Sequence, residues 1–139
     1  MNILFIGATG MLGKPVAKEL IHAGFDLTLL ARDTAKTQKL FPGTKSVPGD
    51  VFDKDSLVAA MKGVDAVYCN LSVPQTSKEK DPQPEREGID NIIAAAGETG
   101  IKRIAGISSL VHNYEGMNGF SWWSFRIKHA GVEKIKASG

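Results

Sequence analysis

The residues of this chain best suited to chemistry lie at its start. Gly7-Ala8-Thr9-Gly10-Met11-Leu12-Gly13 sets three glycines at intervals of three. Glycines let a backbone turn sharply and approach a charged group closely. A helix beginning there adds unpaired N–H groups and the positive end of its dipole, a combination that suits phosphate. The last glycine also lets that helix lie close on a sheet. Gly7, Thr9, Gly10, Met11, Leu12 and Gly13 are therefore the expected cradle of a pyrophosphate. Nineteen positions after Gly13 comes Arg32, preceded by neutral Ala31. A fold that binds an unphosphorylated dinucleotide places a carboxylate there to accept a ribose 2′-hydroxyl. A guanidinium suits a 2′-phosphate instead, and Lys36 in the following helix adds positive charge. Asp33 can either cap that helix or bind a hydroxyl. The balance favours NADP, with NAD still open.

Other reactive types are sparse. Cys69 is the single cysteine, which excludes a disulfide framework and any multi-cysteine metal site. It falls inside an apolar run and reads as core packing. His22, His112 and His129 are scattered and, like the acidic residues, lack metal-ligand spacing. His22 falls near a helix end, His129 on an exposed helix face, and His112 in a loop near the reacting end. Seventeen basic against fifteen acidic residues leave a net charge of +2, dispersed along the chain. Neither a nucleic-acid face nor an acidic tail is suggested. No apolar run approaches the ~20 residues of a membrane span, and the N-terminus lacks the basic region of a signal peptide. A cytoplasmic location is the expectation.

These residues must be held by regular elements. Ile3-Leu4-Phe5-Ile6 is a continuous apolar run ending at glycine, the pattern of a strand buried on both faces. Residues 11–23 carry a helical stripe of Leu12, Val16, Leu20 and Ile21, stopped by Gly24. Strands are expected at 26–31, 44–48, 65–71 and 101–107. Helices are expected at 34–40, at 55–61 with Asp53 or Asp55 as cap, at 85–98 with Ile89, Ile92, Ile93 and Ala96 inward, and at 125–136. Gly97 or Gly100 would end the third of these. Such alternation points to parallel strands joined by helical crossovers. Two loops, 73–84 with three prolines and 111–120 rich in Gly and Asn, follow strands at their carboxyl ends, where open α/β sheets bind ligands. The 139 residues suffice for one domain, 1–139.

Taken with Arg32, Gly49-Asp50-Val51 and the closing Lys128, Glu133 and Ala137-Ser138-Gly139, the glycine motif resembles the atypical short-chain dehydrogenase/reductase group. The nearest likeness is to its NmrA-like and isoflavone-reductase-like members and their NADPH:quinone reductase relatives. The resemblance implies a Rossmann α/β domain, a doubly wound parallel sheet of strand order 3-2-1-4-5. It implies that Asp50 and Val51 flank an adenine, and that Asn70, Leu71 and Ser72 run along the ribose and nicotinamide side. Ser108, with Ser109 beside it, falls where the broader superfamily keeps its serine.

That superfamily pairs a Tyr with a Lys four residues later, so that the phenol can exchange a proton with a carbonyl as hydride moves. Here the residue four before Lys128 is Ser124, so the tyrosine is missing. Carbonyl reduction by that route is excluded unless Tyr114 reaches in from its loop. The isoflavone-reductase-like branch also lacks the tyrosine and keeps the lysine, and Phe125-x-x-Lys128 fits its pattern. Lys128 is thus the catalytic or ribose-binding candidate. Phe120, Trp122 and Trp123 could pack at the sheet edge, stack on an aromatic substrate or fill a protein interface.

Two functional classes follow. One is an NADPH-dependent oxidoreductase passing hydride to a small acceptor, a quinone or an enone. The other is a non-catalytic dinucleotide sensor acting through a protein partner, which the absent tyrosine suits. Sugar-nucleotide epimerisation is argued against by the same absence. Expected partners are the dinucleotide and a small-molecule substrate, with no nucleic acid, membrane or metal, and with a homo-oligomer left open. In the family a sixth strand and a C-terminal substrate-binding portion follow this point. The chain is accordingly expected to be the cofactor half of a longer protein, either a truncation or a naturally minimal version, with its fifth strand a sheet edge.

Overall fold

Alternation within the first strand gives the protein a core on each side of one sheet. In a computed structural model, which describes residues 1–114 and 116–139 apart from the side chains of Val111 and His112, β1 (Asn2–Ile6) runs through the middle of five parallel strands. Its successive side chains point to opposite faces. Leu4 and Ile6 join Leu57, Met61, Val67, Cys69, Ile89 and Ile92 on one face. Ile3 and Phe5 join Ala17, Leu27, Leu29 and Phe41 on the other. A strand covered on both sides has no use for polar alternation, which is why its sequence is continuously apolar.

The order is β3-β2-β1-β4-β5, with β2 (Asp26–Ala31), β3 (Lys45–Pro48), β4 (Ala66–Cys69) and β5 (Ile104–Gly106). This is the expected doubly wound sheet. β1 pairs with β2 through Ile3 opposite Leu27, and with β4 through Ile3 opposite Ala66. The chain steps outward from β1 in one direction through β2 and β3, then in the other through β4 and β5. A crevice opens where the direction switches.

Helices α1 (Gly13–His22) and α2 (Thr34–Leu40) are associated with one face. Helices α3 (Lys54–Met61) and α4 (Ile89–Thr99) cover the other, and α5 (Trp123–Ala137) packs beside α4. Asp53, not Asp55, caps α3, its carboxylate accepting from the N–H groups of Asp55 and Ser56 at 3.1 and 3.3 Å. Among the described residues no helix is long and apolar enough to cross a membrane.

Several boundaries differ from the sequence expectation, for local reasons. Helix α1 begins at Gly13, because Thr9 to Leu12 are spent in the turn, leaving Leu12 exposed. The segment expected as one helix from residue 85 opens with a π-helical turn, Pro84–Gly88, in which the Gly88 N–H reaches the Gln83 carbonyl at 3.2 Å. Gly100, at φ +75°, ends α4, and the Ile101 N–H bonds back to the Ala96 carbonyl at 2.9 Å. Ile101 thereby belongs to the helix cap, and β5 is shorter than the expected 101–107. The loop after β5 contains two 3₁₀ turns, Leu110–Tyr114 and Met117–Gly119.

Candidate functional site: a phosphate-binding cleft and a buried ion pair

The turn from β1 into α1 is a backbone construction. Gly7 sits at φ +88°, a conformation open to glycine and strained for other residues, and a Cβ there would stand 2.1 Å from the Asn70 carbonyl oxygen. A Cβ on Gly13 would stand 2.0 Å from the Gly7 carbonyl oxygen. Both glycines are demanded by the fold itself. Gly10 is not: its nearest neighbour would be 3.4 Å from an added Cβ, an ordinary contact, and its φ is unexceptional. Where α2 and α3 carry Asp33 and Asp53 as side-chain caps, α1 has none. In its first turn the Lys14 N–H is bonded to the Gly10 carbonyl at 3.0 Å and Pro15 has no N–H, so the Gly13 N–H is the one left toward the crevice.

A cleft of about 330 Å³ opens beside this turn. Gly7, Thr9, Arg32, Lys36 and Val51 line it together, so residues from the ends of β1, β2 and β3 converge as expected. Asp33, also on the cleft wall, accepts from the Lys36 N–H at 2.9 Å and is the cap of α2. Arg32 and Lys36 are exposed, and neither side chain makes an ion pair or hydrogen bond among the described residues. Asp50 is turned to its own backbone. Its Oδ1 accepts from the Phe52 N–H at 2.9 Å, closing a local turn, and it is not on the cleft wall. Met11 is 90% exposed at the turn's tip.

Two contributors to the cleft are not evident from sequence. Phe52 supplies an aromatic edge beside Val51. Pro74, Pro82 and Pro84 bring the loop after β4 across to the same wall. That loop is fastened internally: Arg86 donates to the carbonyls of Glu79 and Asp81 at 3.0 and 2.9 Å, and fully buried Gln83 donates to the Lys78 carbonyl at 2.8 Å. The three prolines are the one signal of this wall that the sequence offers.

Asn70 follows β4 and adjoins Gly7, with its N–H bonded to the Ile6 carbonyl at 2.9 Å. Its side-chain Nδ2 is buried and has no hydrogen-bond partner among the described residues. A buried amide donor without an acceptor is costly, and an oxygen-rich ligand in the crevice would supply one. The bare turn, the uncapped helix, the two cations with no ion pair among the described residues and this amide together fit the phosphates and hydroxyls of a dinucleotide.

At the carboxyl ends of β4 and β5 the lining is made of side chains. Leu71, Ile107 and Lys128 line a small pocket with Cys69, Glu85 and Gly131. Lys128, expected on α5 as a ribose or catalytic group, is largely buried. Its side chain is 17% exposed and ion-paired to Glu85, whose side chain is 9% exposed. The other oxygen of Glu85 accepts from the Val73 N–H at 3.1 Å. Burial pushes the Glu85 carboxyl above its ordinary value, against the Lys128 ammonium and the Val73 N–H, which pull it down. Glu85 has no signal in the sequence, where it is one of several charges opening a helix. Burial likewise pushes the Cys69 thiol up to about 12, so it stays a neutral core group.

Ser72 and Ser108 are exposed at the carboxyl ends of β4 and β5. Tyr114 is exposed in the first 3₁₀ turn. The side chain of His112 lies outside the described residues. Phe120 and Trp122 pack on Phe125 with ring centroids 5.6 and 5.0 Å apart, and both remain about half exposed. Among the described residues no three His, Cys, Asp or Glu side chains converge as a metal site would require.

Residues 7–138 match the family described as NAD(P)H-binding. A phenylcoumaran benzylic ether reductase of Populus trichocarpa is 34% identical over 112 residues, covering 73% of this chain and 33% of that protein. A photosystem II assembly factor of Synechocystis is 30% identical over 111 residues, covering 79% and 34%. Among solved structures, an NADPH-dependent quinone oxidoreductase of Escherichia coli in complex with NADPH superposes with a TM-score of 0.77 at 25% identity, covering 99% of this chain and 45% of that one. The chain spans about a third of the length of these curated relatives. It belongs to the NAD(P)H-binding family, in its NmrA-like, isoflavone-reductase-like branch.

Proposed function

We propose that this chain is the cofactor-binding portion of an NADPH-dependent reductase that acts on a small quinone or enone acceptor. The observation that carries the cofactor preference is the pair of cations, Arg32 and Lys36, on the wall of the cleft that also holds Gly7 and Thr9. Neither has a carboxylate partner among the described residues, and the nearby Asp33 caps α2. Two unneutralised cations beside a ribose position suit a 2′-phosphate, which a carboxylate in their place would repel. The bound dinucleotide would supply a hydride.

The chain's own residues divide the remaining work. The α1 terminus and the Gly7–Gly13 turn receive the pyrophosphate, Val51 and Phe52 form an apolar wall for the adenine, and the Asn70 amide donates to the crevice. Lys128, at the far end, holds the hydroxyls of the nicotinamide ribose. No phenol stands four residues before Lys128, which favours acceptors that need no tyrosine to protonate a carbonyl during hydride arrival. The reductase names among the relatives support the same reading.

The test is to mix the protein with NADPH and a panel of quinones and enones while following absorbance of the reduced nicotinamide. Turnover is expected, and Lys128→Ala should reduce it at least tenfold, the scale of one charge-assisted hydrogen bond. Binding without oxidation across the panel would replace the enzyme reading with a cofactor-sensing protein, the role that an assembly-factor relative makes the natural second candidate.

A further inference from the structure

Lys128 reaches from α5 to a carboxylate 43 residues earlier in the chain. That buried carboxylate is what fixes it there. Glu85 lies in the π-helical turn Pro84–Gly88, and its two oxygens serve two different elements. Oε1 pairs with the Lys128 ammonium and Oε2 accepts from the Val73 N–H at 3.1 Å. The backbone at this crossing is closely apposed: a Cβ on Gly131, one turn after Lys128, would stand 2.8 Å from the Glu85 carbonyl oxygen. The helix therefore lies against the turn at one fixed point, and the carboxylate meets the ammonium beside it.

We propose that Glu85 is a positioning residue for the dinucleotide, holding Lys128 at the nicotinamide end of the crevice while the same carboxylate anchors the loop that forms the cleft's proline wall. The proposal rests on the cofactor reading above and adds to it a residue and a division of labour. A long lysine side chain left to itself samples many rotamers, and ordering it on binding would cost affinity. Pre-ordering by a buried partner removes that cost. The Val73 arm has a second effect: Val73 precedes Pro74, which is on the cleft wall. One side chain thus ties both ends of the cofactor cleft to the same turn.

The two arms can be separated. Glu85→Gln keeps an oxygen for the Val73 N–H but removes the charge facing Lys128. Glu85→Asp keeps the charge and shortens its reach. Binding of NADPH is compared with binding of adenosine 2′,5′-diphosphate, which contains the 2′-phosphate and adenine but no nicotinamide ribose. Wild type should bind NADPH more tightly than the fragment. Glu85→Gln should weaken NADPH by about tenfold and leave the fragment unchanged, and Glu85→Asp should weaken NADPH by less. In a Lys128→Met background, Glu85→Gln should cause no further loss, since the partner it positions is gone.

The proposal is overturned if NADPH affinity survives both Glu85 substitutions while Lys128→Met abolishes the preference over the fragment. It is equally overturned if NADPH and the fragment weaken together, the mark of a merely structural residue. Should Glu85→Gln fail to fold, the aspartate variant still decides between these results, because it buries no unpaired ammonium. If wild type binds neither ligand, the cofactor reading itself falls, an outcome distinct from all the others.

Discussion

At the β1–α1 end of the crevice the working groups are backbone, and at the β4–α5 end they are side chains. The first end has the turn into a helix with no side-chain cap and two glycines whose Cβ would collide with carbonyl oxygens at 2.0 and 2.1 Å. Its glycine turn and its two cations span residues 7–36, and the Asn70 carbonyl closes against Gly7 from β4. The second end uses Lys128, Glu85 and the Val73 N–H, which the chain separates by 43 and 12 residues. A backbone site tolerates little substitution and offers little choice of ligand; it recognises what every dinucleotide shares. A side-chain site can be rebuilt residue by residue, and that is where members of one family can diverge in chemistry.

The largest expected effects come from breaking the backbone end. Gly13→Ala forces a methyl group against the Gly7 carbonyl and should destabilise the fold by about 3 kcal/mol, read from urea unfolding. Gly10→Ala meets only an ordinary contact and should stay within ~0.5 kcal/mol of wild type. It should nevertheless weaken NADPH binding, because a side chain would then stand in the turn proposed to receive the pyrophosphate. A Gly10→Ala chain as unstable as Gly13→Ala would show that all three glycines serve the fold and none is reserved for the ligand.

Arg32 comes next, still at the adenine end but carried by a side chain. Its replacement by Ala should weaken NADP(H) by roughly 1.5–3 kcal/mol and NAD(H) by little, measured as dissociation constants for the two cofactors under one salt condition. Equal affinities in the wild type would remove the preference. Retention of the preference after Arg32→Ala would transfer the role to Lys36, which lies on the same wall.

The contrast between the two ends also explains what is legible from the residues alone. The strand order, the glycine turn and the approach of Arg32, Lys36 and Val51 can all be read, because hydrophobic runs and glycine spacing are local signals. Asp33 is ambiguous by residue type, and the 2.9 Å bond from the Lys36 N–H makes it a cap. The apolar stripe starts α1 two residues too early, because Met11 and Leu12 continue it although the turn holds them outside the helix. Glu85 is invisible: a glutamate near a helix start normally reads as a dipole partner or a solvated charge, and nothing nearby in sequence announces Lys128. The proline wall is half visible, as three prolines in a loop at the binding edge, but its fastening by Arg86 and Gln83 depends on packing.

The smallest effect sharpens the comparison most, because it separates stability from function at the side-chain end. The Glu85 carboxyl is raised above its ordinary value of 4.5, chiefly because burial penalises the charged form more than Lys128 and Val73 favour it. A folded-state value above the unfolded one means that the native protein holds the proton more tightly. The associated stability is fully present below about 4.5 and is lost as pH rises through the raised value. Glutamine at this position has no such titration. The stability of wild type relative to Glu85→Gln should therefore decline as the pH of urea unfolding is taken from about 4.5 to about 7, on top of a pH-independent cost to the variant, which leaves the Lys128 ammonium without its carboxylate. NADPH affinity should move the opposite way, wild type binding more tightly at neutral pH. A relative stability that instead rose with pH would mean that the ion pair outweighs its burial and that Glu85 is kept for the fold. Opposite movement of stability and affinity would place Glu85 with the machinery of the site, since a group whose contribution to the native state falls toward working pH while its contribution to binding rises is retained for binding.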